Sequence, residues 1–297
     1  LTALKQHRPL VSIGLPIYNE EDHLSQALDS LLGQDYENIE VIISDNASID
    51  STPQICKDYA ARDARVRYHR NETNIGGINN FNRVFELAQG EFFMWAAGHD
   101  VRHPAQVSSC LEVLLEDTAV VLCYSQAVWV NDEGQPFEPV HEYLDTRGLA
   151  DKITRLNFVL WGLQGGFPIY GVFRTDALKQ TSVYTNVISP DTSLLIELAM
   201  LGKFAYIPEP VFKLRRARDH GDLRVYVAKH FKDGRIGKRP QKLYWRMMRE
   251  LSTRVARHLD SFPGKALGRM FVIAGVLIKF RWMRVDLRAL KRKTSRP

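Results

Sequence analysis

Glu91-Phe92-Phe93-Met94-Trp95-Ala96-Ala97-Gly98-His99-Asp100 decides the reading of this chain. After its first residue the segment is a short apolar run of the kind made by a fully buried strand, and it ends in the polar tripeptide Gly98-His99-Asp100. A carboxylate is thereby expected at the carboxyl end of a central strand. Ligands bind at that edge of open α/β sheets, because the loops leaving the strands open there into a crevice. Asp100, with His99 as a nitrogen donor, has the chemistry to hold a divalent metal against a phosphorylated ligand. With Pro104 close behind, the same aspartate also reads as the start of a helix.

Upstream, residues 11–17 form a mostly apolar strand ending in Pro16-Ile17-Tyr18-Asn19-Glu20-Glu21, and a helix follows with Leu24, Leu28, Leu31 and Leu32 on one face. Residues 39–43 are a second strand that delivers Ser44-Asp45-Asn46 to the same edge, and Thr52-Pro53 opens the next helix. A short strand over 66–69 leads to Asn74-Ile75-Gly76-Gly77 and a helix through Phe81, Val84, Phe85 and Ala88. Strands alternating with helices imply βαβ units, a parallel sheet and right-handed crossovers. The expectation is one crevice faced by Tyr18, Asp45, Asn74 and Asp100.

Downstream, a helix is expected from Pro104 to about Leu115 and a long strand over 120–130. Residues 131–147 are polar, with two prolines and a glycine, and read as a mobile surface connection. A helix over 153–161 precedes Gly165-Gly166 and a strand over 170–174. Pro190-Asp191 is followed by leucines at helical spacing, so Asp191 sits where a first-turn acid is favoured by the helix N-terminus. Two short strands, 204–207 and 211–214, come before the basic loop Arg215-Arg216-Ala217-Arg218-Asp219-His220.

The formal charge of +6 on 297 residues is divided unevenly. From Lys213 onward 25 basic side chains face 6 acidic ones, a surplus of 19, which leaves 15 against 28, a deficit of 13, for residues 1–212. An acidic body with a basic tail suits an anionic surface. Within the tail, residues 270–278 are apolar, and Lys279, Arg281 and Arg284 then alternate with Phe280, Trp282, Met283 and Val285. Such a helix either lies in a membrane interface or packs on its own domain. No apolar run reaches the roughly 18–20 residues that span a bilayer, and no signal peptide is visible, so a cytoplasmic protein is expected. Cys56, Cys110 and Cys123 lack metal-ligand spacing and read as reduced core residues. No nucleic-acid module is present, and acids along the sheet edge would repel phosphate.

Neither G-x-G-x-x-G nor a P-loop follows the first strand, so phosphate must be held by other means. The series Pro16-Ile17-Tyr18-Asn19-Glu20, Asp45-Asn46-Ala47-Ser48-Ile49-Asp50-Ser51-Thr52, Asn74-Ile75-Gly76 and Gly98-His99-Asp100 resembles the motifs of family 2 glycosyltransferases of the GT-A fold, over about residues 10–215. The resemblance implies an α/β fold with a Rossmann-like, mostly parallel sheet flanked by helices. It divides the chain into a GT-A catalytic domain over 1–222, with a nucleotide-sugar half over about 10–103 and an acceptor half over 104–222, and a basic helical region over 223–297.

What the resemblance implies for the residues is specific. Pro16, Tyr18 and Glu20 line the nucleotide, with Tyr18 against the base, and Asn74, Gly76 and His99 belong to the same donor site. Asp45 reads the base edge; on its own residues it also reads as a turn-forming aspartate. Asp100 binds Mn²⁺ or Mg²⁺ against the donor diphosphate, His220 falls where the family carries a residue near that diphosphate and is the second metal candidate, and Arg215, Arg216 and Arg218 also have the charge to meet phosphate. Asp191 is the general base. Trp161, Gln164, Gly165 and Gly166 shape the acceptor site. Two positions depart from the family pattern: Gly98 replaces the first acid of D-x-D, and Pro190 replaces the glutamate before Asp191.

The implied activity is inverting transfer from a nucleoside-diphosphate sugar, UDP-linked by preference, to a glycan or lipid-linked acceptor hydroxyl at the inner face of a membrane. A GT-A-fold protein that binds nucleotide without turnover is the alternative, motivated by Gly98 and His99. A nucleotidyltransferase would need a glycine- and basic-rich first loop, which Pro16 to Glu21 does not provide.

Overall fold

Residues 8–215 and 240–293 are described by the computed structural model. The first half alternates as expected: β1 (Val11–Ile17), α1 (Leu24–Leu32), β2 (Ile39–Asp45), α2 (Thr52–Arg62), β3 (Val66–Arg70), α3 (Gly77–Glu86) and β4 (Phe92–Trp95). Pairings β3–β2, β2–β1 and β1–β4 are all parallel. Every residue of β2 and β4 is buried, as in parallel strands covered on both faces. Successive side chains of β4 therefore go to opposite cores. Phe92 and Met94 pack with Leu24, Leu28, Cys56 and Leu111, whereas Phe93 and Trp95 pack with Val84, Leu160, Leu194 and Val255. Helix α3 crosses β1 so closely that a Cβ on Gly14 would meet Val84 and Phe93 at 2.7 Å.

The second half comprises α4 (Gln106–Glu116), β5 (Val120–Val130), β6 (Pro136–Pro139), α5 (Lys152–Gly162), a 3₁₀ turn (Phe167–Tyr170), β7 (Val172–Arg174), α6 (Thr175–Lys179), α7 (Pro190–Leu198) and β8 (Lys203–Arg215). Strand β7 joins β4 antiparallel, β5 joins β7 antiparallel, and β8 runs parallel to β5. One mostly parallel, eight-stranded sheet results, the α/β architecture expected. The end of β8 also bonds back to the donor side, with Val101 and Lys213 exchanging amide bonds at 3.0 and 2.9 Å.

Three sequence expectations are corrected here. The two short strands over 204–207 and 211–214 are one strand, β8, irregular opposite 125–127 and containing a cis Glu209–Pro210 bond. The strand expected over 170–174 starts at Val172, because Pro168 and the preceding glycines turn the backbone into the 3₁₀ segment first. The surface connection over 131–147 holds β6, which pairs with β5, and then an extended stretch in which Val140, Glu142 and Leu144 are buried while Tyr143 faces out. Backbone bonding and side-chain burial tie that stretch into the body.

Helices α8 (Pro240–Arg257) and α9 (Phe262–Lys293) complete the described residues. Met247, Leu251, Val255, Val272 and Val276 enter the same core as Trp95 and Leu194. Gly268 and Gly275 permit close contact, since a Cβ at Gly268 would meet Leu259 at 2.6 Å and one at Gly275 would meet Leu160 at 2.5 Å. On α9, Leu267, Met270, Ile273, Leu277 and Ile278 face outward. No helix among the described residues is long and apolar enough to cross a membrane. All three cysteines are buried and unpaired. Helix α8 also clamps α7 through the buried Glu197, whose carboxylate meets Arg254 Nη1 at 3.2 Å, His258 Nε2 at 3.3 Å and the Ser182 amide at 3.1 Å.

Candidate active site

At the carboxyl ends of β1, β2 and β4 a crevice is lined by Pro16, Tyr18, Glu20, Asn46, Asn74, Asn80, His99 and Tyr170. The segment over residues 45–52 braces the first loop: Asn19 N donates to Ser48 Oγ at 2.9 Å and Glu20 N to Thr52 Oγ1 at 2.8 Å. Asn19 itself takes a left-handed conformation, φ 54°, which turns the chain after Tyr18. Tyr18 remains 38% exposed at the rim. Asn74 Oδ1 accepts from Asn46 Nδ2 at 3.0 Å and from the Gly76 amide at 2.9 Å, and Gly76, at φ 88°, starts α3. Glu20 reaches His99, with Nδ1 at 3.2 and 3.1 Å from its two oxygens.

Gly98 has a steric explanation. A Cβ there would meet Ile17 Cγ2 at 3.0 Å and Glu20 Cγ at 3.1 Å, so Glu20 occupies the space that an acid at position 98 would need.

Asp45 and Asp100 do not line this crevice, contrary to the expectation that both would face it. Asp45 is fully buried: Oδ1 closes a turn by accepting the Ser48 amide at 2.8 Å, and Oδ2 accepts from Tyr68 Oη at 2.9 Å with Arg70 Nε at 3.3 Å. Asp100 is buried beside the end of β8, where Oδ1 accepts the Arg215 amide at 2.9 Å. Loss of hydration raises its carboxyl above the ordinary aspartate range, against the opposing pull of His99 and Arg102. Arg215 donates to the His99 carbonyl at 3.1 Å and to Gln26 Oε1 at 3.2 Å, bonds that secure the tripeptide.

Among the described residues no three His, Cys, Asp or Glu side chains gather as a metal cluster. Mg²⁺ commonly takes one or two carboxylates and completes its shell with water and substrate phosphates, so the hard oxygen donor of Asp100 fits such an ion. His220, Arg216 and Arg218 lie outside the described residues.

Asp191 stands in the first turn of α7, entered through Ser189 at φ 47°. Its Oδ1 accepts the Thr192 amide at 2.8 Å. Half-buried but densely surrounded, its carboxyl is pushed up to about 6 by desolvation, with Glu142 adding repulsion. The other carboxylate oxygen rests on Gly166, where a Cβ would come within 2.8 Å of it and where φ is +74°, so only glycine suits the position. Gln164, Gly165, Gly166 and Phe167 in turn give their amides to the Glu142 carboxylate at 2.7, 3.4, 3.3 and 3.0 Å. Trp161 is 45% exposed on α5. Sequence reasoning missed Glu142, although the alternation Val140, Glu142, Leu144 was a signal that it points inward.

Residues 12–181 match the family model "Glycosyl transferase family 2". An uncharacterized protein of Mycobacterium tuberculosis is 26% identical over 314 aligned positions, covering 94% of this chain and 85% of that one. In fold, the chain resembles S. aureus TarS crystallised with UDP-GlcNAc, at TM-score 0.64 and 18% identity over 91% of this chain and 72% of that one. It also resembles the mannosyltransferase PcManGT of Pyrobaculum calidifontis in complex with GDP-Man and Mn²⁺, at TM-score 0.53 and 17% identity, covering 93% and 88% respectively.

Proposed function

The chain belongs to glycosyl transferase family 2, and from that premise we propose that it transfers a sugar, with inversion, from a nucleoside-diphosphate donor to an acceptor hydroxyl. A UDP-sugar is the favoured donor. In the reaction the acceptor oxygen bonds to the anomeric carbon as that carbon's bond to the diphosphate oxygen breaks. The hydroxyl proton passes to Asp191, and the nucleoside diphosphate leaves with the electron pair. The observation that carries this reading is the setting of Asp191: its carboxylate stands in the first turn of α7 against Gly166, and the close packing that pushes it up to about 6 matches it to accepting a proton near neutral pH.

The donor lies along the crevice, its base against Tyr18, with Pro16, Glu20, Asn74, Gly76 and His99 around the nucleotide. Asp45, at the end of β2, is assigned to the base edge. Mn²⁺ or Mg²⁺ held by Asp100 would offset the charge that develops on the departing diphosphate. Asp191 and the crevice residues hold the two substrates in one geometry, which supplies much of the acceleration.

The acceptor is a glycan or lipid-linked saccharide, and the enzyme works peripherally on the inner face of a membrane. Support comes from the basic surplus after Lys213 and from the outward Leu267, Met270, Ile273 and Leu277 of α9. Calorimetry with a panel of nucleoside diphosphates and their sugars, with and without Mn²⁺, tests the donor site on the wild type and Asp100→Asn. Metal-dependent binding of one nucleotide, lost in the variant, is the expected result. Binding that ignores both metal and Asp100 would favour a nucleotide-binding protein without turnover, the reading that Gly98 and His99 motivate.

A further inference from the structure

Glu142 is a buried carboxylate that no step of the proposed reaction uses. It is 4% exposed, and its two oxygens receive four consecutive backbone amides, Gln164 to Phe167. A run of amides converging on one anion is an anion nest, and here the anion is supplied by the protein itself. Its own backbone is held as well, since the Glu142 carbonyl accepts from Tyr124 Oη at 3.1 Å and the Leu144 amide donates to the same hydroxyl. The loop so gathered ends in the 3₁₀ turn that carries Tyr170 to the crevice. Midway along it, Gly166 forms the floor on which the Asp191 carboxylate rests.

We infer that Glu142 is a positioning residue for Asp191: by binding the four amides it fixes the Gly166 floor, and the floor fixes where the Asp191 carboxylate points. The inference rests on the reading of Asp191 as the base. It also answers the departure at Pro190, because the second carboxylate near Asp191 then comes from 49 positions upstream rather than from the adjacent residue. Among the described residues, the titratable groups that act on Asp191 are Glu142 and, from the 3₁₀ turn, Tyr170.

Three measurements on the full chain test it. In Glu142→Gln the amides of 164–167 lose protection in hydrogen exchange, while those of β1 and β2 keep theirs. The ¹³C carboxyl titration of Asp191, assigned with Asp191→Asn, moves to lower pH because a neighbouring negative charge is gone. UDP release from UDP-GlcNAc, with water as the minimal acceptor, falls by about 10²-fold, the scale of a misplacement of roughly 1 Å, while UDP affinity is unchanged. Gly166→Ala keeps the Glu142 charge but pushes the carboxylate off its floor, and the same fall in UDP release is expected. Should Glu142→Gln not fold, Glu142→Asp, which keeps the charge but draws it back from the amides, is expected to give the same loss of protection and of UDP release. Protected amides or an unmoved Asp191 titration in Glu142→Gln, or full activity in Gly166→Ala, would overturn the inference. If wild-type protein binds no UDP, the donor reading fails separately, and exchange and titration still decide the role of Glu142.

Discussion

The two halves of the sheet make their sites in different ways. In the donor half, β1 to β4, each functional side chain stands at the end of its own strand, and parallel pairing in register brings the ends together. The brace between the first two loops, Ser48 and Thr52 to Asn19 and Glu20, forms where β1 and β2 end side by side. In the acceptor half, Asp191, Gly166 and Glu142 lie in three segments joined by no ladder of strands. A carboxylate and a loop of amides hold them instead. A site built on register tolerates change at single side chains, whereas one hung on a buried carboxylate depends on it.

The strongest test of this contrast is Asp191→Asn. Removing the base should lower transfer by about 10²–10⁴-fold, and nucleotide affinity measured by calorimetry should stay unchanged. A parallel loss of nucleotide binding would show that the halves are not separate. The pH profile of the wild type sharpens the same point. Asp191 is raised to about 6, so transfer should rise with pH through that value as the carboxylate ionises. The sign for stability is opposite: ionising a carboxyl that is costlier to ionise folded than unfolded lowers stability from about pH 4 up to about 6, with no further loss above.

Arg254→Met addresses how far the acceptor half relies on the C-terminal helices. It leaves the buried Glu197 of α7 without its main guanidinium partner, and breaking such a pair typically costs about 3–5 kcal/mol. Denaturant unfolding followed by circular dichroism reads the loss. A cost below about 1 kcal/mol, the size of an exposed pair, would mean that α8 does not anchor the base helix.

The smallest effect belongs to the donor half. Gly98→Asp crowds Glu20 and Ile17 and should cost about 1–3 kcal/mol, the usual range for overpacking. Adding Glu20→Ala should return part of that stability, because the two positions compete for one space. Simple additivity of the two substitutions in thermal melts would rule out the competition.

The donor half was largely legible in the sequence because its information is local. Strands β1, β2 and β4 appear as short, mostly apolar runs, β3 as a brief Val-Arg-Tyr-His alternation, and the residues at their ends fall into a spaced series that one fold explains. Legibility stopped at side-chain direction. Asp45 and Asp100 stand at their strand ends but turn into Tyr68 and the Arg215 amide rather than the crevice. In the acceptor half the polar run over 131–147 suggested a surface connection, and average polarity concealed that Glu142 alternates inward with Val140 and Leu144. The continuity of β8 was likewise hidden, because Pro208 and Pro210 look like breaks to any reading of local propensity.

The sequence by itself determined the alternation of strands and helices in the donor half and hence its parallel sheet, the placing of Pro16, Tyr18, Asp45 and Asp100 at strand ends, and a carboxylate at the start of α7. Periodicity and turn chemistry act over a few residues, and a linear pattern records them completely. Only the tertiary structure decided that Glu20 fills the space beside Gly98, that Arg254 clamps α7 through Glu197, and that Glu142 supports the floor under Asp191. Those outcomes depend on packing and on the need of every buried charge for a partner, and the partners are far apart along the chain, 22 residues from Glu142 to Gln164 and 57 from Glu197 to Arg254.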